Sequence, residues 1–121
     1  MEFKLVSKDN RREIWVISSL LSDNKEFSII NLKPGKGIGG CRHKNDEFYT
    51  VVKGPVRILI GNDDFVAESG ESGVFGGGQV HGFVALDDKE AIVAEWGISA
   101  EEKESDIKDP RMKAKLDKIN G

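Results

Sequence analysis

Imidazole and thiol are scarce in this chain of 121 residues: the histidines are His43 and His81, and the one cysteine is Cys41. Chemistry that needs a soft nucleophile, a base near neutral pH, or nitrogen and sulfur ligands must run through these three. In an extended segment, residues i and i+2 project to one face, so Cys41 and His43 are co-facial and Glu47 keeps the same parity. A thiol, an imidazole and a carboxylate turned into one interior are costly for a plain core. A divalent metal ion makes the arrangement reasonable, because the ion supplies the compensating charge. His81 lies far along the chain, yet Gly76-Gly77-Gly78 and Gly82 flank it and let the backbone turn tightly enough to bring its ring to the same cavity.

Blander accounts stand beside this one. A lone cysteine behaves as a small buried apolar residue, strand histidines are commonly just hydrogen-bonded, and Glu47 has Arg42 and Arg57 as available salt-bridge partners. Cys41 as a nucleophile activated by His43 is disfavoured, since two positions along one strand face is too far for a direct hydrogen bond.

The elements that must position these residues are short. Apolar runs at Glu13–Ser18, Phe27–Leu32, Phe48–Val52, Val56–Ile60, Phe65–Ala67, Phe83–Leu86 and Ala91–Trp96 alternate with turn signals such as Lys33-Pro34-Gly35, Lys53-Gly54-Pro55 and Ser69–Gly73. That spacing predicts an all-β sandwich or barrel over residues 1–98. Residues 99–121 read as a charged linker, or a solvated helical turn, followed by a helix. Asp109 and Pro110 form its N-cap and first position, and Met112, Leu116 and Ile119 make one apolar stripe. The helix packs on the barrel or on a partner. Trp15, Trp96 and Phe83 read as core side chains, with pocket or interface lining as the alternative.

Two patterns lead nowhere. Gly35, Gly37 and Gly40 spell a dinucleotide-binding glycine pattern, but the residues after them read as a strand rather than the required helix. The doublets Asp63-Asp64 and Asp87-Asp88 read as solvated turns rather than a carboxylate pair.

The balance of 18 basic against 21 acidic residues gives a net charge of -3, which argues against a phosphate-neutralising nucleic-acid binder. Apolar clusters recur throughout, so disorder is excluded. The charged start, MEFKLVSKDN, lacks a secretory core, and no apolar run is long enough to span a bilayer. With a single cysteine these features lead to the expectation of a cytoplasmic protein without nucleic-acid or membrane partners.

The spacing around the histidines resembles the cupin superfamily. Its first motif appears as Gly35, five residues, Cys41-x-His43, three residues, Glu47, six residues, Gly54. Its second appears as Gly70, five residues, Gly76-x-Gly78, two residues, His81, three residues, Ala85. Cys41 stands where the family usually has its first histidine, Gly76 where it has proline, and Ala85 where it has asparagine. The resemblance covers about residues 30 to 97 and implies a single cupin-type β-barrel (double-stranded β-helix, or jelly roll) with a short C-terminal helix. It implies a divalent metal held by Cys41, His43, Glu47 and His81, or by the last three alone.

Iron or zinc suits that donor set best, with nickel, manganese or cobalt also acceptable. The resemblance further implies a small-molecule substrate, dioxygenase- or isomerase-type chemistry, and a homodimer whose N-terminal strand, near Phe3–Val6, crosses to the partner sheet. Two alternatives remain. Asp9-Asn10-Arg11-Arg12 and Gly39–Lys44 faintly resemble metal-free cupins that tautomerise nucleotide-linked keto-sugars, with His43 or His81 as the base. The other is a non-catalytic ligand-binding barrel.

Overall fold

The computed structural model describes residues 3–17, 25–104 and 107–121. The chain runs β1 (Lys4–Lys8), β2 (Arg12–Ile17), β3 (Lys25–Leu32), β4 (Gly37–Arg42), β5 (Glu47–Lys53), β6 (Val56–Ile60), β7 (Asp63–Ala67), β8 (Ser72–Phe75), β9 (His81–Ala85) and β10 (Ala91–Ser99). α1 (Ala100–Glu104), β11 (Ile107–Lys108) and α2 (Pro110–Asn120) follow. Two antiparallel sheets result, in the orders β1-β2-β3-β10-β5-β8 and β11-β4-β9-β6-β7. Consecutive strands repeatedly change sheet, so the sheets close on each other as a jelly roll. No helix among the described residues is long and apolar enough to cross a membrane.

Register decides which residues enter the interior. Ile14, Ile30, Val93 and Val51 are cross-strand partners in the first sheet and point inward. Ile58 and Phe83 face them from the second sheet, and both are essentially buried. Tyr49, Phe75 and Phe83 complete the core through ring contacts with centroids 4.8 to 5.7 Å apart.

Sheet two has a covered outer face. Asp109 caps α2 by accepting from the Arg111 and Met112 amides, each at 3.0 Å. Met112 and Leu116 then pack on Leu59 and Val84, with Ile119 beside them. The expected stripe therefore docks on its own barrel. Asn120 fastens the helix end by accepting from the Gly37 amide at 2.8 Å and donating to the Gly37 carbonyl at 2.9 Å.

Several expectations need correction. The stretch read as a linker contributes β11, which pairs with Cys41 and Arg42 of β4. Ser72 and Gly73, placed in the Ser69–Gly73 turn signal, open strand β8. Asp63 and Asp64 lie in β7 rather than in a turn, because β6 supplies an antiparallel partner for each. β1 pairs with β2 of its own chain and forms one edge of the first sheet. Trp15 and Trp96 sit half-buried on the outer face of the first sheet, while Phe83 is core.

Candidate functional site

His43, Glu47 and His81 converge, but not by riding one strand face. β4 ends at Arg42, His43 lies in the connection that follows, and Glu47 opens β5 in the opposite sheet. His81 opens β9, paired across to Cys41 of β4. Strand parity grouped Cys41 with His43 and Glu47; the structure instead brings His43 and Glu47 together with His81, by crossing between sheets.

Two glycines make this possible. Gly39 has φ +123°, and a Cβ there would lie 2.5 Å from Gly82 Cα and 2.6 Å from the His81 carbonyl oxygen. Gly39 thus lets β4 press against β9 and shift register just before Cys41. Gly77 lies against the Lys44 carbonyl with no room for a side chain. Its amide donates to Asp46 Oδ1 at 2.8 Å, and the Gly78 amide donates to the His43 carbonyl at 2.8 Å. The glycine loop before His81 is thereby tied to the loop that carries His43.

One ligand atom from each of the three residues lies within 4.8 Å of the others, and all three side chains are buried. Glu47 Oε1 stands 3.3 Å from His43 Nε2 and 3.1 Å from His81 Nε2. Each Nδ1 meets a backbone carbonyl at 3.0 Å: Asn45 for His43 and Gln79 for His81. A carbonyl only accepts, so each Nδ1 carries a proton and each ring turns its Nε2 towards the carboxylate, as a lone pair when the ring is neutral and as an N–H donor when it is protonated. Neutral rings would leave three acceptors aimed at one point, so the cluster requires a positive charge, an Nε2 proton or a cation. Phe75 stacks on His81 with centroids 4.1 Å apart and planes 11° from parallel, which fixes the ring.

Burial pushes the Glu47 carboxyl upward, but hydrogen bonding with His43, His81 and Glu95 outweighs it and holds the group well below the ordinary carboxylate range. Neither Arg42 nor Arg57 is its partner; Arg57 pairs with Asp64. Glu95, which the sequence reading missed, is pushed well above its ordinary value by burial and then by the neighbouring Glu47 charge. The signal was present: Glu95 follows Ala91 and Val93 at inward parity in an otherwise apolar strand.

A cavity of about 350 Å3 opens beside the cluster. Ile14, Ile30, Ile38 and Phe83 form its apolar wall, and Arg11, Arg12, Lys103 and Lys108 its basic one. Cys41 also lines it, with Sγ 2.6 Å from Lys108 Nζ, and stands outside the three-residue group. The donor set fits a divalent ion. Adjacent ligands about 2.1 Å from an ion and at right angles stand about 3 Å apart, and the two Nε2–Oε1 separations of 3.1 and 3.3 Å come close to that.

Solved structures share the fold. A cupin-2 domain protein of Rhodospirillum rubrum is 15% identical with a TM-score of 0.67, covering 99% of this chain and 90% of its own. The capsular polysaccharide assembling protein CapF of Staphylococcus aureus is 19% identical over 78% of this chain, at a TM-score of 0.68. A point mutant of the oxalate decarboxylase OxdC of Bacillus subtilis is 13% identical over 87%, also at 0.68. The chain spans only 30% and 29% of those two proteins. No curated protein matches the sequence. The model of the cupin domain matches residues 28–97, the stretch that holds all three converging side chains, and the chain belongs to that family.

Proposed function

We propose that this cupin is a metal-dependent enzyme in which His43, Glu47 and His81 hold one divalent ion and a small polar metabolite binds beside it. One observation carries the reading: three buried acceptors meet at one point, with both histidine tautomers set by backbone carbonyls. Two imidazoles and one carboxylate suit iron(II), and zinc accepts the same set. A divalent ion there supplies Lewis-acid polarisation of a coordinated substrate oxygen. Around it, burial and the Glu47 charge favour the protonated form of Glu95, and Ile14, Ile30 and Phe83 keep bulk water from one side of the cavity. Cys41 stays on the wall against Lys108.

The metal-free reading has less support. A general base needs a ring nitrogen facing the substrate, and in His81 one nitrogen meets the Gln79 carbonyl while the other meets Glu47. Elemental analysis of protein purified without chelators or a metal-affinity column tests the choice. The expected result is about one iron or zinc per chain, and close to none in His81→Ala. Wild-type protein that takes up neither ion on incubation, or His81→Ala protein at full occupancy, contradicts it.

We also propose that the outer face of the first sheet pairs with a second copy. Ile17, Phe27, Trp96, Phe48 and Val74 form one cross-strand row on that face, and Leu5, Trp15, Ile29 and Ala94 a second. Phe27, Trp96 and Phe48 stack in series at 5.9 and 6.0 Å. Phe3, Leu5, Phe48, Val52 and Val74 are exposed. Six strands at about 4.8 Å spacing span roughly 24–29 Å, and β3 and β10 at about 3.4 Å per residue run roughly 27–31 Å. A stable pairing of about 800 Å2 per partner needs a face of that size.

A further inference from the structure

Four cations reach the cavity beside the three-residue cluster, and they come from separate parts of the chain. Arg11 and Arg12 enter from the turn into β2, Lys103 from α1 and Lys108 from β11. Long basic side chains ordinarily extend into solvent; the Arg12 side chain is instead only 15% exposed. Their own counter-ions are few. Asp9 alone serves both Arg11 and Arg12. Lys103 meets Glu26 at 3.1 Å and donates to Ser28 Oγ at 3.0 Å. Lys108 meets the Cys41 sulfur.

Counted as ionised, Asp9, Glu26, Glu47 and Glu95 just balance the four cations, while Asp117, which also acts on Arg11, is paired with Lys113. A divalent ion on His43, Glu47 and His81 then leaves the cavity with two uncompensated positive charges. We infer that the cavity selects small anionic metabolites, bearing carboxylate or phosphate, whose charge is met by Arg12, Lys103 and Lys108 while another oxygen reaches the ion; this rests on the metal reading above. The cavity, at about 350 Å3, lies at the small end of ligand sites. Guanidinium forks add geometry to the attraction, since they match the paired oxygens of such anions.

Calorimetric titration of the zinc-loaded protein at low ionic strength tests this, with malonate, inorganic phosphate and the neutral malonamide as probes. Malonate or phosphate is expected to bind at least about tenfold tighter than malonamide, and which of them binds tells carboxylate from phosphate selectivity. Lys108→Met and Arg12→Gln should each weaken anion binding by about five- to tenfold while zinc affinity, measured separately, stays within about twofold. Lys108 is exposed, so its variant is expected to fold even if the Arg12 variant does not. Equal binding of malonamide, or anion affinity indifferent to both substitutions, overturns the inference. If zinc fails to bind, the metal reading falls by itself. The same titrations on the metal-free protein then decide the anion preference through the four cations alone: anion binding weakened by Lys108→Met sustains it, and no preference over malonamide overturns it.

Discussion

His81 is restrained at three points: Gln79 accepts from its Nδ1, Phe75 stacks on its ring, and Glu47 faces its Nε2. A ring held this way loses little freedom when it takes a ligand, which favours tight coordination. Asp9 plays a corresponding part for the basic wall. The Arg11 guanidinium, joined by the charges of Arg11 and Arg12, outweighs the effect of burial and holds its carboxyl well below the usual range. A carboxylate depressed in the folded state adds stability above its unfolded pKa of about 3.9, and that stability is lost as the pH falls through the folded value. Asp9→Asn should therefore lower the melting temperature at pH 5 to 7, with the gap to wild type closing as the pH falls below about 4. A gap that is constant across that range would show that Asp9 does not act through its charge. Because the Asp9 side chain is 36% exposed, the effect should shrink in high salt.

Among the elements, α2 and β4 show what the sequence could and could not disclose. The Asp109-Pro110 start and the Met112, Leu116, Ile119 stripe were legible because capping and helical periodicity are local, and the structure has both. The positions of β5, β6, β9 and β10 were legible for the same reason, since alternation and turn residues act within a few positions. β8 and β11 were not. One is four residues long with Gly73 under the Tyr49 ring, the other two residues long, and each is a strand only through its partner. The site was legible as a set of residues, since both histidines fall at motif spacings. Lys103 and Lys108 escaped notice because their approach to the cavity depends on α1 and β11, which no periodicity announces. Truncating Leu116, an α2 residue 4% exposed against β4, Leu59 and Val84, should cost about 2–4 kcal/mol in Leu116→Ala by denaturant unfolding. A loss under about 1 kcal/mol would mean that α2 is not part of the cooperative fold.

At the scale of the whole molecule the two sheets are treated unequally. The outer face of the second is covered by α2, whereas that of the first presents stacked Phe27, Trp96 and Phe48 beside exposed Phe3 and Leu5. An apolar patch of that extent is what the proposed pairing with a second copy would cover. Light scattering coupled to size-exclusion chromatography should give twice the chain mass of 13.3 kDa, and Phe48→Lys should give monomer with the sheet intact. A monomeric wild type at about 100 μM, well above the dissociation constant of a standard interface, would count against the pairing.

All of this depends on where a cation sits. A crystal soaked in zinc or cobalt, with anomalous differences collected at the metal edge, locates it directly. The account predicts one strong peak about 2.1 Å from His43 Nε2, Glu47 Oε1 and His81 Nε2. A map without a peak among those three atoms, or with its peak at Cys41 instead, contradicts it.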